Sequence, residues 1–226
     1  MIETYTEHTP KLTFAAAVDW PGWARKGRDE AAACQALLDS APRYAQIVRA
    51  GKLDFPLPAA LEDFAVAERV PGDSSTQFGV LAVPPALDAR PVDDAELARL
   101  LALLDAYWKA FDAAVDRARG KELRKGPRGG GRELDKIVEH VVGAEGGYLS
   151  MLAWKWDKPQ SENPYTLREP TRQAVRAGLT AAAHGESPQQ RPRGGAVWSP
   201  RYFVRRLGWH VLDHLWEIED RLLPVG

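Results

Sequence analysis

Trp209-His210-Val211-Leu212-Asp213-His214-Leu215-Trp216-Glu217 is the stretch on which the reading of this 226-residue chain turns. An α-helix advances 100° per residue, so His210 and His214 stand one above the other, close enough to grip a single divalent ion. Glu217 and Arg221 extend the polar line at i+7 and i+11, while Val211, Leu215, Trp216, Ile218 and Leu222 cover its flanks with apolar surface. Imidazoles taken out of water need partners, which points to a metal ion or an internal hydrogen-bond network, although a solvent-facing pair has the same spacing. The residue after His210 is Val211, where zinc peptidases place their glutamate base, so no peptidase follows.

Working outward, Ser199-Pro200 supplies an N-cap and a first-turn proline for a helix over residues 200–222. The polar stretch 186–195 precedes it. Before that, residues 169–184 read as a helix stopped by Gly185, and residues 133–156 as another, with Leu134, Ile137, Val138, Val141, Tyr148, Leu149 and Leu152 on its apolar side. Residues 120–131 form a basic, glycine-rich connection with Lys121, Arg124, Lys125 and Arg128, whose spacing matches no phosphate-binding loop. Asp93 with Glu96 makes a capping-box pattern ahead of Leu97, Leu100, Leu101, Leu104, Tyr107, Trp108, Phe111 and Val115 at helical spacing. Four helices with moderate loops predict an all-α four-helix bundle over residues 91–226.

The first 90 residues predict a small α+β domain. Residues 2–6 and 12–18 read as a hairpin around Glu7-His8-Thr9-Pro10, followed by a break at Asp19-Trp20-Pro21-Gly22-Trp23. A helix over residues 28–38 and a second restarting at Ser40 and Pro42 and closing at Gly51 come next. Residues 64–70 alternate as a third strand. Residues 71–92, rich in proline, mark a boundary in which only 78–83 is strand-like.

Thirty basic against thirty-one acidic residues leave a net charge of -1, so no global field draws the chain to nucleic acid or an anionic membrane. Cys34 is the only cysteine, which excludes an internal disulfide and a cysteine-based zinc finger and suits a reducing, cytoplasmic setting. No stretch approaches the length of a membrane span. Apolar faces on long helices make a homodimer a reasonable expectation.

A catalytic metal site usually takes three protein ligands. His140, inside an apolar helix, is the best third candidate, either as a ligand or as a hydrogen-bonded core residue. His184 sits beside a helix-ending glycine, and His8 in a turn. Glu217 suits either orientation of a ligand, or general-base work, or an ion pair with Arg221, and Asp213 points sideways. Trp198, at the mouth of the last helix, is the pocket candidate, whereas Trp209 and Trp216 read as core.

Two resemblances complete the reading. His140-Val141-Val142-Gly143-Ala144-Glu145-Gly146-Gly147-Tyr148-Leu149 followed by a helix carrying His210 and His214 resembles the DinB superfamily of metal-binding four-helix bundles, over residues 91–226. That resemblance implies one divalent ion, zinc or nickel, on His140, His210 and His214, and a thiol-dependent transferase, isomerase or related activity with a low-molecular-weight thiol and a small-molecule substrate. The order strand, strand, Pro21-Gly22, Lys26-Gly27-Arg28-Asp29-Glu30-Ala31 and helix is similar to HicB-type antitoxins, departing at Trp23 and Pro42. It implies a binding or regulatory module that engages a partner through an edge strand, with the metal then structural.

Overall fold

In a computed structural model of the chain, residues 1–125, 131–188, 191 and 194–223 are described. Among them the protein is α+β, with a four-stranded mixed sheet and six helices. No described helix is long and apolar enough to cross a membrane. The chain forms two compact units, one of Met1–Ala106 with Ser199–Trp209, the other of Tyr107–Trp198 with His210–Gly226.

The first unit is built on β1 (Ile2–His8), β2 (Thr13–Ala17), β3 (Ala24–Gly27) and β4 (Phe64–Pro71), in the order β3-β2-β1-β4. The expected hairpin is present: β1 and β2 pair antiparallel with Thr6 opposite Ala15, while β4 runs parallel to β1. Every residue of β2 is buried, as a central strand covered on both faces requires. On one face Tyr5, Phe14, Ala16 and Val18 pack with Leu81 and Trp209. A second cluster stacks Trp23 on Tyr44, with Trp20 and Phe55 edge-on around them, and the Trp23 indole donates to Ser40 Oγ at 2.9 Å.

Three expectations for this region need correction. β3 was not expected, because an edge strand of four mostly polar residues carries no alternating pattern. Residues 28–50 form one helix, α1 (Glu30–Ala50), capped by Asp29, and not two. Ala33, Leu37, Ala41, Tyr44 and Val48 keep one buried face through Pro42. Burying Leu37, Tyr44 and Val48 at about 1.5–3 kcal/mol each outweighs the roughly 3 kcal/mol cost of an internal proline. Residues 78–83 are not a strand: the short α2 (Ser74–Gln77) precedes them, and the Ala82 and Val83 N–H groups donate to the buried Glu7 carboxylate at 3.1 Å instead of to a neighbouring strand. Thr76 Oγ1 donates to the same carboxylate.

Helix α3 (Asp94–Ala118) begins as expected, with Asp93 accepting from the Glu96 N–H at 2.8 Å. The Glu96 side chain does not complete a capping box, since it accepts from Arg201 at 2.6 Å. The second unit contains the end of α3, α4 (Leu134–Tyr148), α5 (Pro164–Ala183) and the end of α6 (Pro200–Arg221). Helix α4 stops at Tyr148, earlier than residue 156, because a 3-10 turn over Leu149–Leu152 leads to Ala153 in the left-handed region at φ 55°. Helix α5 starts earlier than residue 169: Asn163 accepts from the Tyr165 N–H at 3.0 Å and Pro164 fills the first turn, a cap and proline pair that reads as loop in isolation.

Helix α6 carries Arg205 into the first unit at 1% exposure. Its guanidinium forks onto Asp88 at 2.6 and 2.7 Å, donates to the Ala17 and Val18 carbonyls at 2.6 and 2.9 Å, and lies over the Tyr5 ring. Removing one partner of a buried ion pair strands the other charge. Arg205→Met should therefore lower the unfolding free energy by about 3–5 kcal/mol, and Arg205→Met with Asp88→Leu should recover part of it. Urea unfolding of the two variants checks this.

Candidate metal centre

The spacing that aligns His210 and His214 holds in α6, where both are buried, and α4 brings the half-buried His140 to them. Three ring nitrogens, one from each residue, lie within 4.8 Å of one another, and the ring centroids are 4.7–4.9 Å apart. His140 Nε2 and His210 Nε2 face each other at 3.0 Å. A tetrahedral ion with metal–nitrogen bonds of about 2.0–2.1 Å holds its ligand nitrogens about 3.3 Å apart; the His140–His210 pair at 3.0 Å is close to that span, and separations toward 4.8 Å would close on binding.

The outer partners also suit a metal. His214 Nδ1 donates to Glu217 Oε2 at 2.7 Å, which leaves the lone pair on Nε2. Glu217 Oε1 accepts from Arg221 Nη1 at 2.7 Å, and Arg221 in turn donates to the Arg124 and Arg132 carbonyls at 2.9 Å. The hydrogen bond from His214 holds the Glu217 carboxyl below the usual carboxylate range, against its partial burial. Burial lowers the His140 pKa, with the neighbouring His214 and Arg132 adding to it and Glu217 opposing. A neutral imidazole is the form that binds metal.

The other sequence candidates fall away from the cluster. His8 ends β1 and His184 follows α5, both exposed, and Asp213 is exposed on α6. Trp198 is half-buried, its N–H donating to the Met151 carbonyl at 2.8 Å and its ring 5.6 Å from Tyr148, whose own ring is 5.9 Å from His210. Of the basic connection, Arg124 anchors on the Asp220 carbonyl at 2.9 Å, and Arg128 lies outside the described residues. Comparison with protein-family models, with curated proteins and with solved structures finds no match for this chain.

Sequence reading assigned Glu145 no role of its own, yet it is fully buried in α4. Its Oε1 accepts from the Trp108 indole at 2.7 Å, and Oε2 is buried with no hydrogen-bond partner among the described residues. Arg172 lies nearby, already forked onto Asp112 at 2.7 and 3.0 Å, and Arg168 donates to Asp112 at 2.7 Å. A glutamate in the middle of an apolar helical face was the available signal. Desolvation pushes its pKa from 4.5 up to about 7, against the pull of Arg172 and the Trp108 hydrogen bond.

That shift has a stability consequence. As pH rises from 4.5 to about 7, the unfolded chain releases the Glu145 proton while the folded chain keeps it. Stability from this group is therefore present at acid pH and declines through that window, by on the order of 3 kcal/mol. Glu145→Gln should flatten this part of the pH dependence, measured as urea midpoints across the range.

Proposed function

We propose that residues 91–226 are a DinB-like four-helix bundle holding one divalent transition metal, zinc or nickel, on His140, His210 and His214. The centre serves a thiol S-transferase or hydrolase that acts on a small electrophile in the cytoplasm. The observation that carries this reading is the convergence of three imidazole nitrogens within 4.8 Å, one of them oriented by a carboxylate. Bound there, a divalent ion lowers the pKa of a thiol or water so that a nucleophile is available at neutral pH.

The protein's own groups set up that chemistry. His214 is held in one tautomer by Glu217, and Arg221 fixes Glu217 from the other side. With both carboxylate oxygens engaged, Glu217 is a positioning residue in this reading and not the base. Three neutral donors contribute no negative charge, so the centre favours an anionic ligand such as a thiolate.

A second reading draws on the sheet. β3 and β4 are its outer strands, and β4 is mostly half-exposed. A HicB-like binding module would use such an edge, with the metal structural and no catalysis.

Protein purified without an affinity tag should contain about one equivalent of zinc or nickel by elemental analysis. His140→Ala and His214→Ala should lose it, whereas Glu217→Gln should keep the site but bind about 10–100-fold more weakly. Thiol-dependent consumption of a small electrophile that disappears in His214→Ala supports the enzyme; metal without turnover supports the binding module. No metal after incubation with either ion would sink both readings of the cluster.

A further inference from the structure

The second unit also contains a recess that the metal centre does not use. It encloses about 420 Å³ and is lined by the end of α4, Trp154, Lys155, Trp156 and Arg191. That volume lies within the range of small-molecule sites. Its walls are specifically seated. Trp156 packs on Gly146, where a methyl would come 3.1 Å from Cζ2, and Trp154 packs on Gly178, where a methyl would come 2.9 Å from Cγ. Ala153, held at φ 55°, turns the chain so that both indoles follow directly after the 3-10 turn. A non-glycine residue in that conformation costs about 1 kcal/mol and persists where the surroundings enforce it.

Charge gives the recess a polarity. Among the described residues, Lys155 and Arg191 are its charged lining residues and no carboxylate lines it. Arg191 is fixed at the rim by donating Nε to the Ser150 carbonyl at 3.0 Å. Gly147, an exposed residue of the lining, lies two turns along α4 from His140 on the same helix face, about 10 Å away. Among the described residues, apart from its neighbours and its own helix backbone, no atom lies within 4 Å of the Cβ position at Gly147.

We propose that this recess binds a planar aromatic molecule bearing one carboxylate or phosphate, with its ring against Trp154 and Trp156 and its anionic group on Lys155 and Arg191. Stacking on indole and charge-assisted hydrogen bonds to a guanidinium are the interactions these residues offer. The recess stands on its own residues; only the placing of the reactive end of such a molecule toward the histidines rests on the metal reading.

Isothermal titration of the intact protein with 2-naphthoate, 2-naphthyl phosphate and neutral 2-naphthol tests the proposal. Saturable binding of one or both anions at one per chain, with naphthol at least about tenfold weaker, is expected. Whichever anion binds more tightly identifies the group recognised. Lys155→Met with Arg191→Met should remove the preference for the anion, and Gly147→Leu, which adds a bulky side chain to the lining where a Cβ meets open space, should abolish binding with the melting temperature preserved. Equal affinity for naphthol, no binding of either anion, or unchanged binding in both variants would overturn the assignment. Metal content measured on the same samples, and naphthoate binding by His214→Ala, keep the two readings separate: the recess should survive loss of the histidine site, and the site should survive Gly147→Leu.

Discussion

A polar side chain withdrawn from water must find a partner in the interior, and helix α6 withdraws three: Arg205, His210 and His214. Each half of the helix meets the demand within its own unit. Arg205 takes a carboxylate and two carbonyls that end β2, so the strand, the Asp88 turn and the helix are joined through one guanidinium. The histidines take Glu217 and each other's company with His140. The first solution is complete in itself, with charge matched by charge. The second gathers three imidazoles whose ring nitrogens lie within 4.8 Å of one another, a grouping that could hold a cation as well as hydrogen bonds.

The same constraint sets the polar layer around Asp112. Its carboxylate accepts from both Arg168 and Arg172. Arg172 and Arg176 in turn lie over Trp108, whose indole reaches Glu145. Glu145 is the member left short, with one oxygen unmatched and the proton therefore retained to near neutral pH. A neutral carboxyl is the cheaper way to bury glutamate when the nearest cation is already committed elsewhere.

What the sequence disclosed depended on how far each signal reached along the chain. Helix α6 and its histidine face followed from 3.6-residue periodicity and the Ser199-Pro200 start, and they stand within a residue of expectation. The β1–β2 hairpin and β4 were legible for the same reason. Expectations failed where a distant contact overrode local preference. Pro42 stays helical because Tyr44 and Leu37 are packed, residues 82–83 leave the strand conformation because Glu7 takes their N–H groups, and β3 exists only as the neighbour of β2. At the site, His140, His210 and His214 were all named in advance and Glu217 lay on the same helical stripe three residues past His214, but the seating of two tryptophans on glycines is a tertiary fact with no local sequence signature.

Helix α4 carries Gly143, Gly146 and Gly147, and each forgoes roughly 0.5–1 kcal/mol of helix propensity relative to alanine. They are not equivalent. At Gly146 a methyl would press on the neighbouring indole at 3.1 Å and require it to shift, whereas at Gly143 and Gly147 a methyl meets open space and would add helix propensity. Selection for stability alone would convert those two to alanine and narrow the ground beside His140. The α4 backbone therefore gives up helix propensity for room at Gly143 and Gly147, one and two turns along from His140.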